Sequence, residues 1–405
     1  MSKNTQKGLR VPYGLAVHNR EEEERVLAVL REHRTIIGKE TEEFETSIAK
    51  LFGKKYGVMV NSGSSANTLA IDLLNLPPGF EVITPLLTFS TTLAPIVKKG
   101  LIPVFADVEI SKYIIDTKQI ENLITKKTKA LVIPLLLGNV PDMEKLRILA
   151  KKYKLSLVED SCDTLGATFD RIPTGKFSDI STTSFYGSHI ITAGGNGGML
   201  LVDKDKWRDR AKVLRGWGRS SSIFKDSEAI GKRFNRKIGN TQYDAKFIFE
   251  EIGYNFMPME LGAAFGNAQI KKLPSFKKIR ERNFRFLLNF FKQYEKYFVL
   301  PKQDSRIQTQ WLAFPLTIKK NAPFSRLQLV KYLEKNNIQT RPIFTGNVLE
   351  QPGFKNIKRR TTPNGYPVTN DIMLRGFVIG CHHGLEQKHL NRIEEVFTSF
   401  FKKIM

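Results

Sequence analysis

Between residues 56 and 202, short apolar runs alternate with stretches of helical periodicity. Residues 56–60, 81–84, 102–107, 130–135, 155–160, 181–185 and 198–202 read as strands, and 41–52, 67–76, 89–99 and 143–153 as helices. The strand runs are continuously apolar rather than alternating, as expected when helices cover both faces of a parallel sheet. The fold class is therefore α/β with a mostly parallel sheet. From about residue 273 the pattern changes to a long helix (273–299), a strand (311–318), a helix (325–335) and a last helix (387–402), a smaller α+β unit. The expected division is an N-terminal segment 1–35, a large α/β domain 36–285 and a small C-terminal domain 286–405.

Composition narrows the function classes. No apolar stretch reaches the roughly 18 residues of a membrane helix, and the start MSKNTQKGLR lacks the apolar core of a secretory signal. Two cysteines, Cys162 and Cys381, supply neither a disulfide framework nor a Cys-rich metal site. A cytoplasmic protein that neither crosses a membrane nor holds a metal is the expectation. The net charge of +24 is spread as lysine pairs, such as Lys54-Lys55 and Lys402-Lys403, without a zinc finger, RNP motif or basic tail. Nucleic acid is thus not the expected partner, whereas a basic surface attracts a phosphorylated substrate.

In open α/β sheets ligands bind beyond the carboxyl ends of the strands. After Val60 comes Asn61-Ser62-Gly63-Ser64-Ser65-Ala66 at a helix start, either an anion cradle of backbone N–H groups or a plain turn with a serine cap. Strand 155–160 ends in Glu159-Asp160-Ser161-Cys162-Asp163. A carboxylate there needs a partner: a bound cation, a helix start or a structural ion pair. Ser184 closes the next strand, and His189 stands in the loop before the glycine-rich turn 194–198, where it is either structural or a proton carrier near neutral pH.

An aspartate after a strand, a Ser-Phe pair some two dozen residues on and a glycine-rich turn together resemble the DegT/StrS family of sugar aminotransferases, pyridoxal phosphate (PLP) enzymes of fold type I. Aminotransferases of that family carry at the position of His189 the lysine that holds the cofactor covalently. Histidine there resembles the subgroup of 3-dehydratases acting on nucleotide-linked 4-keto-6-deoxyhexoses. Further stretches similar to its CDP-sugar branch are 60–66 (VNSGSSA), 158–167 (VEDSCDTLGA), 217–219 (WGR), 231–234 (GKRF), 253–255 (GYN), 338–341 (IQTR) and Gly346-Asn347. The similarity runs from about residue 30 to the C-terminus.

The resemblance implies roles. Ser64, Ser65 and Ser184 would hold the cofactor phosphate. Asn255 would reach the phosphate in a neighbouring subunit, which implies a homodimer with shared sites. Phe89 would stack on the pyridine ring, Asp160 would pair with its nitrogen, and Asp163 would lie nearby. His189 would be the acid/base, with pyridoxamine phosphate (PMP) as the non-covalent working form and L-glutamate as amino donor. Arg219, Arg233, Arg236 and Arg341 are candidates for the substrate diphosphate or for interface roles, and His382-His383 reads as a packed turn.

Two departures stand out. The CDP-sugar branch carries an iron–sulfur cluster on cysteines after WGR, and here 219–230 has no cysteine, so no cluster is expected. The glycine turn reads Gly194-Gly195-Asn196-Gly197-Gly198 instead of Gly-Glu-Gly-Gly. The expected activity is C3 deoxygenation of a sugar nucleotide. A sugar aminotransferase using another lysine, such as Lys176, and a non-catalytic binding homologue are the alternatives.

Overall fold

The computed structural model describes residues 8–224 and 226–404. The first seven residues of the N-terminal segment, Lys225 in the stretch after Arg219, and Met405 lie outside the described residues. A seven-stranded sheet forms the large layer, in the order Tyr56–Val60, Gly198–Val202, Ile180–Ser184, Ser156–Asp160, Thr128–Pro134, Glu81–Pro85, Ile102–Ala106. Gly198–Val202 runs antiparallel to both its neighbours, and the remaining pairs are parallel.

Successive residues of the central strands enter opposite cores, as a strand's period of two requires. Ile83, Leu131, Ile133 and Leu157 pack with Met143, Leu146 and Leu149 of helix Met143–Lys152. Val82, Ala130, Val132 and Val158 pack on the other face with Ala66, Leu69 and Ala70 of helix Gly63–Leu74. Burial on both faces is why these strands read as unbroken apolar runs. The parallel arrangement brings the carboxyl ends of Tyr56–Val60, Glu81–Pro85, Thr128–Pro134, Ser156–Asp160 and Ile180–Ser184 to one edge.

The helix expected over 273–299 instead spans Glu260–Lys292, 33 residues including Pro274. Its glycine-rich start argues against helix locally, but a Cβ at Gly266 would meet the Phe44 ring at 2.6 Å, so close packing demands glycine there. The helix begins in the large layer, where Glu260 accepts from the backbone N–H groups of Gly38 and Thr41. It ends in a second core with Leu287, Phe290 and Phe291. That core covers a four-stranded antiparallel sheet, Phe298–Val299, Ala313–Ile318, Gly376–Gly380 and Thr340–Arg341 in spatial order. Sequence reading found only the second of these strands.

The chain's start lies along this smaller sheet. Val11 N donates to Asn337 O and Gln339 N to Val11 O, at 2.8 and 2.9 Å. Among the described residues no helix is long and apolar enough to cross a membrane.

Candidate active site

The loops at the carboxyl edge of the large sheet enclose a cavity of about 790 Å³, closed on the other side by Arg341–Thr345 and Gln351–Phe354. Of the residues singled out in the sequence, Ser64, Phe89, Asp160, Asp163, Ser184, His189 and Arg341 line it. Ser65, Asn255, Arg219, Arg233 and Arg236 do not. The Ser65 hydroxyl is turned to Asn61 Oδ1 at 2.6 Å. Asn255 is exposed, beside the strand end at Asn61, where its carbonyl accepts from Asn61 Nδ2 at 3.5 Å. Arg233 is paired with Asp244, Arg219 lies over the Trp217 ring at 4.3 Å, and Arg236 lies 5.7 Å from the Phe224 ring.

Asp160 closes the central strand and is 5% exposed. Asn67 Nδ2 and Thr92 Oγ1 donate to Oδ2 at 2.8 and 2.7 Å, and Cys162 N donates to Oδ1 at 3.2 Å. These donors are all neutral, and among the described residues no cationic side chain forms an ion pair with this carboxylate. A buried negative charge without a counterion is costly unless a ligand supplies one. The half-exposed Phe89 ring adds an apolar surface to the wall of the same cavity.

Ser62 caps helix Gly63–Leu74, its hydroxyl accepting from Ser65 N at 3.1 Å. A Cβ at Gly63 would meet Ser184 Cβ at 2.6 Å and Cys162 Sγ at 2.9 Å, so the helix start lies directly against Ser184. With Ser64 and Ser184 on the cavity wall, this N-terminus offers hydroxyls and backbone N–H groups to an anion. The cavity thus has an anion cradle, an apolar wall and an unneutralised carboxylate. A flat phosphorylated heterocycle with a protonated ring nitrogen fits all three. Burial and the charge of Asp160 push the Cys162 thiol up, so it stays protonated.

His189 is held by its main chain. Its N–H donates to Tyr186 O at 2.9 Å, and its carbonyl accepts from the buried Arg280 guanidinium at 3.4 Å. The ring nitrogen Nδ1 lies 3.4 Å from Ser184 O, and Nε2 lies 4.0 Å from Asp163 Oδ1. Burial, aided by the charge of Arg280, lowers the His189 pKa from 6.5 to about 4. Burial first, with the Asp160 charge adding, raises Asp163 to about 7 despite the hydrogen bond from Leu137 N. The imidazole is therefore neutral at neutral pH, with Nε2 facing a carboxyl that titrates there.

His382 and His383 form the packed turn expected of them. His383 stacks on Phe276 with ring centroids 3.8 Å apart and accepts from Arg280 Nε at 3.2 Å. No lysine lines the cavity among the described residues. Lys176 is exposed and lies against Gly53, outside it.

The site also contains residues that sequence reading passed over. Ser62 carried a signal, as a serine before a helix. Asn67 and Thr92 carried none, because their part depends on where Asp160 falls in three dimensions. Asn196 of the altered glycine turn and Tyr13 from the chain's start complete the wall.

Comparison with known proteins agrees with this geometry. The DegT/DnrJ/EryC1/StrS aminotransferase family matches residues 17–398. The lipopolysaccharide biosynthesis protein RfbH of Salmonella typhimurium is 36% identical over 375 residues, covering 90% of this chain and 85% of that protein. The dTDP-4-dehydro-2,6-dideoxy-D-glucose 3-dehydratase of Saccharopolyspora spinosa is 35% identical, with 95% and 85% covered. The structure of the E. coli GDP-4-keto-6-deoxy-D-mannose 3-dehydratase with bound hydrated PLP superposes with a TM-score of 0.86 at 30% identity, over 96% of this chain and 100% of that one. A second structure of a GDP-4-keto-6-deoxymannose 3-dehydratase, holding a trapped PLP–glutamate geminal diamine, has the same TM-score at 29% identity, with 95% and 99% covered. With its sheet, its cavity and a match spanning nearly its whole length, the chain belongs to the DegT/DnrJ/EryC1/StrS aminotransferase family.

Proposed function

We propose that this protein is a PMP-dependent 3-dehydratase that removes the C3 oxygen of a nucleotide-linked 4-keto-6-deoxyhexose. L-glutamate serves as amino donor, and the 4-keto-3,6-dideoxy product is destined for a surface polysaccharide. The observation that carries the reading is His189, with no lysine among the described lining residues, in a cavity whose buried Asp160 pairs with no cationic side chain among the described residues. The relatives named as 3-dehydratases support the reaction, and the glutamate adduct in one of their structures supports the donor.

In this reading Asp160 pairs with the cofactor's ring nitrogen, Phe89 stacks on the ring, and Ser64 and Ser184 bind its phosphate. Ser65 acts through Asn61 at the base of the cradle. Asn255 of one copy reaches the phosphate held in a second copy, which makes the working unit a homodimer. Arg341 is the cation offered to the substrate within the cavity. Arg219, Arg233 and Arg236 would reach substrate only across that dimer contact.

The cofactor supplies a protonated pyridine ring that takes up the electron pair left when a proton departs from the adjoining carbon. Neutral His189 takes that proton, and the same imidazole then delivers a proton to the C3 hydroxyl, which leaves as water. Asp163, beside Nε2, orients the ring and shares its charge while the proton is held. The balance per turnover is one sugar nucleotide and one glutamate giving one deoxygenated sugar nucleotide, one 2-oxoglutarate and one ammonia.

Reduction with borohydride after loading with PLP separates this reading from an aminotransferase. The chain mass is expected to stay unchanged after denaturation, because no lysine holds the cofactor. A chain heavier by the reduced cofactor would overturn the reading and favour amination.

A further inference from the structure

The chain's start lies before the family match, which begins at residue 17, yet its Tyr13 lines the reaction cavity. Residues Leu9–Ala16 run between the smaller sheet and the His189 loop. On one side Val11 bridges Ile338 in parallel register, Tyr13 N donates to Gln339 Oε1 at 2.9 Å, and Pro12 O accepts from His382 Nε2 at 3.1 Å. The Gly384 N–H donates to the other nitrogen of His382, which fixes the tautomer that donates to Pro12. On the other side a Cβ at Gly14 would meet Ser188 Cβ at 2.7 Å, so the strap presses on the residue next to His189.

A second cavity of about 1010 Å³ opens behind this strap, with Arg10, Lys388 and His389 on its wall. The walls of the two cavities have Tyr13, Tyr186, Ser188 and Arg341 in common, so these side chains stand between them. The Tyr13 ring lies 5.7 Å from the Arg341 guanidinium. Among the described residues nothing bonds to its hydroxyl. Burial, with the Asp163 charge adding, pushes the phenol well above its ordinary pKa, so it remains a hydrogen-bond donor at any working pH. A protonated donor beside a guanidinium suits the oxygens of a phosphorylated sugar.

We propose that Tyr13 is a substrate-contacting residue, its hydroxyl donating to an oxygen of a nucleotide-linked hexose bound in the reaction cavity beside Arg341. The proposal rests on the functional reading above for the ligand's class alone.

The test is calorimetric titration of the PMP-loaded protein with GDP-mannose, CDP-glucose, UDP-glucose and dTDP-glucose, which lack the ketone and cannot react. Tyr13→Phe keeps the ring and its packing and removes only the hydroxyl. The probe that binds the wild type is expected to bind the variant about three- to tenfold more weakly, the loss of one hydrogen bond. Equal affinities would overturn the proposal, as would binding of none of the four probes by the wild type. The readout needs no turnover. If the variant binds more weakly while the wild type dehydrates no 4-keto sugar, the assignment of Tyr13 stands and the dehydratase reading falls.

Discussion

Replacing His189 by Asn is expected to slow dehydration by about 10²–10⁴-fold, the usual contribution of a positioned acid/base, with cofactor binding retained. The loop does not depend on the imidazole for its shape. It is anchored through the main chain to Tyr186 and Arg280, and the side chain makes only long polar contacts, 3.4 Å to Ser184 O and 4.0 Å to Asp163 Oδ1. In the proposed mechanism the neutral imidazole takes the proton. The acid-side loss of kcat/KM that comes from imidazolium formation should therefore fall near pH 4 rather than near 6.5, because burial and Arg280 disfavour the imidazolium. A separate, shallower step near pH 7 should follow the protonation of Asp163. His189→Lys places an amine where the resemblance puts the cofactor-holding lysine of the family's aminotransferases, and should give a borohydride-trapped adduct and an aminated sugar. An Asn variant with wild-type turnover would remove His189 from the mechanism.

Asp160→Asn carries the second large effect. The two side chains have nearly the same shape, but the amide has no charge to hold a ring nitrogen protonated, and its NH₂ group would face the donors Asn67 and Thr92. Turnover should drop about 10²-fold or more, comparable to removing a preorganised electrostatic partner of the transition state. Affinity for PMP, measured by equilibrium dialysis, should fall about tenfold with the loss of one charge-assisted hydrogen bond. Unchanged affinity and turnover would mean that Asp160 faces no cation in the working enzyme.

The two halves of the fold were not equally legible. The large sheet announced itself because its strands are buried on both faces and separated by periodic helices. The small sheet did not, since Thr340–Arg341 is two residues long and Gly376–Gly380 is a short run beginning and ending in glycine. The start of the long helix was hidden because Gly262 and Gly266 answer to packing against Ala193 and Phe44 rather than to local propensity.

At the site, residues that end strands or start helices were readable, Ser64, Asp160 and Ser184, as was the histidine in the loop before the glycine-rich turn. Residues defined by what they touch were not, and Asn67, Thr92 and Tyr13 become visible only once Asp160 and Arg341 have positions. Arg219, Arg233 and Arg236 carry charge in the sequence but no signal of position. In the single chain, Arg233 is engaged by Asp244, and Arg219 lies over an aromatic ring.

The most direct measurement is the mass of the sugar nucleotide recovered after incubating the protein with PLP, L-glutamate and nucleotide-linked 4-keto-6-deoxyhexoses. The expected product is lighter by one oxygen, with 2-oxoglutarate and ammonia released in equal amounts. A product in which the keto oxygen has been exchanged for an amino group, or no change with any of the nucleotides, would contradict the dehydratase reading.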